Sequence, residues 1–71
     1  MHAKKVLKGQ IWRSEETGEL YLVTLLYEEV LISYAVLRSL SPKAAEANKR
    51  GRVVRTASAE TISGFRIADR L

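Results

Sequence analysis

The stretch that decides the fold is Leu20 to Leu37, LYLVTLLYEEVLISYAVL, in which Glu28 and Glu29 are the only charges. Without that pair it approaches the length of a membrane-spanning helix, but two adjacent carboxylates at its midpoint cost several kcal/mol in a bilayer. The β-branched and aromatic content of both halves favours a pleated surface over a helix. The stretch therefore reads as two strands, with Glu28-Glu29 as the tip of a long hairpin.

Working outward, Val6 to Arg13 reads as a first strand in which Gly9 marks a kink, and Ser14 to Gly18 as a polar turn. Glu19 to Tyr27 and Val30 to Leu37 or Arg38 are the second and third strands. Arg52 to Thr56 is a fourth, and Ile62 to Ala68 a fifth. Between the third and fourth, Ser41-Pro42 opens a run of helix signals: an N-cap, a proline at the first helical position, alanines, basic residues at Lys49 and Arg50, and Gly51 as C′. A short helix at about 42–50 is one reading. A solvated loop is the other, because so short a helix without an apolar face is marginal. A helical turn near 58–61 follows Ser58.

At 71 residues the chain is one domain, 1–71, with a modest core. The sequence has no cysteine, which excludes disulfides and thiolate metal sites and suits a reducing, cytoplasmic setting. MHAKKVLKGQ lacks the apolar core of a secretory signal. Twelve Lys and Arg against eight Asp and Glu give a net charge of +4, which favours acidic partners. Most of the excess lies in the second half: from Lys43 onward there are seven basic residues and three acidic ones.

The expected fold class is mainly β: a five-stranded, strongly bent antiparallel sheet or small barrel. The order of elements, with GQIW, TGELYLV and the SAETISGF passage, resembles SH3-like small barrels. That resemblance is one of fold alone, and such barrels host peptide-binding, nucleic-acid-binding and ribonuclease functions. The opening GQIWR is also similar to the first strand of MazF-type toxin ribonucleases, which cut RNA with an arginine and a hydroxyl residue. This chain is shorter and lacks the Arg-Pro-containing second strand of that family.

Catalytic and metal chemistry find little to build on. His2 is the one histidine and lies near a terminus, the paired carboxylates Glu15-Glu16 and Glu28-Glu29 lie in expected turns, and the glycines do not form a phosphate loop. No catalytic residue, metal or cofactor is assigned. The basic series Lys49, Arg50, Arg52 and Arg55, backed by Lys8 and Arg13, is the candidate phosphate-binding set, since guanidinium groups suit bidentate phosphate contact. Strand alternation nevertheless separates Arg52 from Arg55. Trp12, amid Lys8, Gln10 and Arg13, is the candidate for stacking on a base.

Strict alternation leaves both faces of the hairpin apolar. Tyr21, Val23, Leu25 and Tyr27 share one face of the second strand, and Tyr34 joins them from the third as a candidate interface between two copies of the chain. The leading expectation is a noncatalytic barrel that binds RNA or DNA through basic residues. The alternative is a homodimeric module for a protein partner, and a MazF-like endoribonuclease ranks third. A membrane is not expected as a partner.

Overall fold

The computed structural model describes residues 5–41 and 48–68. Six strands form a single antiparallel sheet: β1 (Ile11–Ser14), β2 (Leu20–Glu29), β3 (Ile32–Ser39), β4 (Asn48–Arg55), β5 (Glu60–Ile62) and β6 (Phe65–Ile67). Their order across the sheet is β5-β4-β3-β2-β1-β6. The turn at Ser63-Gly64 brings the two end strands side by side, so the sheet is a nearly closed small barrel, consistent with an SH3-like fold. Among the described residues there is no helix, hence none long and apolar enough to cross a membrane.

Six strands replace the five expected because Gly64, with φ of 84°, breaks the expected fifth strand into β5 and β6. The short helix is corrected where it can be seen. Asn48, Lys49, Arg50 and Gly51 belong to β4, while residues 42–47 lie outside the described set. Gly51 is thus no helix cap; it faces Ala35 across the β3–β4 ladder. The helical turn near 58–61 is instead a tight extended turn. The Thr56 hydroxyl bonds both polar backbone groups of Ala59, which uses the groups a helical turn would need, and Glu60 enters β5.

The long hairpin is present, but its tip lies two residues beyond the carboxylates. Glu29 pairs with Ile32, leaving Val30 and Leu31 as a two-residue loop with φ of 49° and 66°. Both central residues at positive φ define the mirror-image turn that matches strand twist. At the other end of β2, the buried Ser14 hydroxyl accepts the amides of Glu16 and Thr17, and the Gly18 amide donates to the Ser14 carbonyl. This shapes the turn into β2.

The core consists of Val6, Trp12, Tyr21, Val23, Ala35, Leu37 and Ile62, with Leu26, Val53 and Phe65 packed against it. The register of β2 slips between Val23 and Leu25. Thr24 is the extra residue there, and its hydroxyl donates to the Val36 carbonyl at 3.3 Å. A bulge of this kind shifts the phase of alternation. Tyr21 and Val23 point inward before it, and Leu26 does so after it, so Leu25 and Tyr27 are turned to the outside.

Candidate nucleic-acid interface

The phase shift builds an outer face that strict alternation does not foresee. Three cross-strand rows cross β2, β3 and β4: Leu22–Arg38–Asn48, Leu25–Val36–Arg50 and Tyr27–Tyr34–Arg52. Residues directly opposite in antiparallel strands have side chains close enough to interact, and here they do. The Tyr27 and Tyr34 rings stack with centroids 5.4 Å apart. The Arg50 guanidinium lies 4.6 Å from the centre of the Tyr34 ring and donates a 3.2 Å hydrogen bond to the Tyr27 hydroxyl.

Arg50 thereby clamps both rings. The hydrogen bond to Tyr27 is the main reason its pKa is raised above an already high value, so the charge persists at any pH the fold meets. Arg52 stands opposite Tyr34 and Arg38 lies two rows along β3 on the same face; among the described residues, their side chains make neither a hydrogen bond nor an ion pair. Glu29 lies at the far end of the face, beyond Tyr27, and adds attraction to Arg50. The result is a half-buried aromatic pair with the unused donors of Arg52 beside it and those of Arg38 further along the same face.

The residues expected to bind phosphate are distributed rather than gathered. Arg50 and Arg52 share the outer face, two residues apart on β4. Lys49 points the other way, toward one end of the barrel, 5.6 Å from the Tyr21 ring centre and 4.0 Å from the Glu16 carboxylate. Arg55 pairs with Glu60 at 3.2 Å. Lys8 is exposed in the turn before β1, and Arg13 is on the outside of β1, donating to the Gly18 carbonyl.

Trp12 is only 3 % exposed, and its indole N–H donates to the Gln10 side chain at 3.1 Å. A ring packed in the core has no face for a base, whereas the Tyr27 and Tyr34 rings lie on the outer face. The expected interface set is likewise divided. Tyr21 and Val23 are interior, whereas Leu25, Tyr27 and Tyr34 remain on the outer face.

Arg38 is the member of this face that residue-by-residue reading passed over. Its signal was present, since Arg38 shares strand parity with Tyr34 and Val36, but it lay outside the basic run. No protein-family model, curated protein or solved structure matches this chain.

Proposed function

We propose that this barrel is a noncatalytic module that binds single-stranded nucleic acid, RNA or DNA, on the outer face of β2, β3 and β4. One observation carries the reading: the Tyr27–Tyr34 stack, clamped by Arg50, shares the outer face with two uncommitted guanidinium groups, Arg52 opposite Tyr34 and Arg38 two rows along β3. Bases stack on aromatic rings and guanidinium planes, while arginines track the phosphates. Duplex DNA fits the face less well, because its bases are already stacked on one another and not free to lie on the tyrosines. The net charge of +4 supplies attraction at longer range.

Charge alone draws any basic protein to nucleic acid, so the test compares two pairs of equal charge. Arg38→Gln with Arg52→Gln is set against Lys5→Gln with Lys8→Gln, and binding to a labelled oligonucleotide is titrated across salt. The outer-face pair is expected to lose about tenfold or more in affinity and to flatten the slope of log affinity against log salt by about 1.4, at roughly 0.7 per released phosphate contact on a single strand. Tyr27→Leu, which keeps the sheet but ends the stack, is expected to weaken binding by about 1 to 3 kcal/mol.

A second reading draws on Leu25, which is 48 % exposed on the same face beside Val36. An exposed apolar residue beside tyrosines and arginines also suits a protein partner. Equal small losses from the two charge pairs and no effect at Tyr27 would favour that account. The MazF-like reading predicts RNA fragments in the same titration in place of a stable complex.

A further inference from the structure

The hairpin tip is unlike the rest of the surface. Val30 and Leu31 are 87 % and 92 % exposed, and both hold φ values in the left-handed region. That region is strained for any residue with a Cβ, and most of all for a β-branched one, so such turns are normally made by Asn-Gly or Asp-Gly. Strain of this kind persists where the surrounding structure compensates it, here the Glu29–Ile32 pairing that closes the hairpin, and no described residue packs over the tip. Both side chains are therefore left in solvent in a single copy of the chain.

The same molecule carries a hole of matching chemistry. Where the barrel fails to close, β5 is hydrogen-bonded only to β4 and β6 only to β1. Between them lies a groove of about 690 Å³, bordered by Leu7 and Ile67 with Trp12 and Phe65 beneath. Leu7, Val30, Leu31 and Ile67 make up four of the seven large apolar side chains exposed among the described residues, the others being Leu25, Leu40 and Val54. One contact between tip and groove removes all four from water.

Charge agrees with this pairing. Glu28 and Glu29 stand behind the tip, which disfavours a phosphate-bearing surface. At the groove, the Glu60 carboxylate is already bonded to Arg55 and to the Val6 amide, and Glu15 is paired with Arg66. The Lys5 side chain, also on the lining, has no acidic partner among the described residues and is placed to meet an incoming carboxylate.

We propose that the chain self-associates by inserting the Val30-Leu31 tip of one copy into the β5–β6 groove of another. The contact joins unlike surfaces and is distinct from the tyrosine–arginine face, so it stands or falls independently of nucleic-acid binding. A contact of this size is well below the roughly 1,200–2,000 Å² of a typical stable interface, so association is expected in the micromolar range or weaker.

Two double variants test it, in sedimentation equilibrium without nucleic acid. Val30→Asn with Leu31→Gly supplies the residues the turn prefers and removes the knob. Leu7→Gln with Ile67→Gln makes the groove polar. Each variant alone is expected to sediment as the 8.0 kDa monomer under conditions where the parent chain associates. An equimolar mixture is expected to recover association, because the groove variant keeps an intact tip and the tip variant an intact groove.

A monomeric parent chain at millimolar concentration, an unchanged tip variant, or no recovery on mixing would overturn the proposal. Should the groove variant not fold, a spin label at Leu31→Cys, unique in a chain without cysteine, replaces it. Mixed with isotope-labelled parent chain, it is expected to broaden amide signals of Leu7 and of Phe65–Ile67. Broadening confined to Leu25, Tyr27, Tyr34 and Arg50 would instead place the contact on the outer face and refute the groove.

Discussion

Gly51 owes its place to a close approach rather than to backbone freedom. A Cβ built there would run into the Ile62 side chain and lie 3.4 Å from Leu37, both buried. Gly51→Ala is therefore expected to destabilise the fold by about 1 to 3 kcal/mol, the usual range for overpacking. A fall in the urea midpoint at constant m-value measures it, and an unchanged midpoint would mean that Ile62 relocates freely. Trp12 is a second residue whose part is structural. Trp12→Ala removes a core ring and is expected to cost about 3 to 5 kcal/mol, which rivals the whole stability of a domain this small. That variant should unfold, whereas Trp12→Phe should fold and bind oligonucleotide as the parent does. A folded Trp12→Phe protein with strongly reduced binding would return the stacking role to the tryptophan. These two residues also mark where residue identity alone misleads. Trp12 sits among polar neighbours in sequence, yet antiparallel pairing with Tyr21 and Ile67 sends it inward.

At the scale of elements, the hairpin shows what was legible and what was not. Its existence and antiparallel sense follow from two β-rich runs broken by charge, and they are what the structure has, with strand ends and tip shifted by up to two residues. Its facing does not follow, because one extra residue at Thr24 reverses the parity of everything after it. Without the bulge, Leu25 and Tyr27 would share the interior with Tyr21 and Val23. With it, Tyr27 meets Tyr34 and Arg50 on the outside, so the candidate site exists because alternation fails once. The tip was misplaced for a related reason: carboxylates look like turn residues, while Val and Leu do not, and the register set by β3 and β4 overrules that preference. The cost of this override is measurable. Val30→Asn with Leu31→Gly is expected to raise the stability of the monomer by about 1 kcal/mol or more, since it replaces two disfavoured backbone states with two that these residues adopt readily. Denaturant titration at low protein concentration separates that gain from any change in association. A loss of stability would show that Val30 or Leu31 contributes packing within its own chain.

For the whole molecule, pairing is unequal around the barrel, and stability should be unequal with it. β2, β3 and β4 are the longest strands, and β2 and β3 pair with each other and with a long or inner neighbour on the other side, whereas β5 and β6 have three residues each and one paired edge. Amides with few buried contacts and an unpaired neighbour open by local rather than global unfolding. Native-state hydrogen exchange is thus expected to find the slowest amides in the β2–β3 ladder from Tyr21 to Leu37, and to find β5 and β6 opening at lower denaturant. The two proposed external contacts would give different footprints. An oligonucleotide on the tyrosine–arginine face should slow exchange around Tyr34 to Val36 and Arg50 to Arg52, while a second copy in the groove should slow β5 and β6 in proportion to chain concentration, because whatever binds only the folded state stabilises it by mass action. Uniform protection across all six strands, with or without either ligand, would mean that the barrel behaves as one cooperative unit and that its unpaired seam is no weaker than its centre.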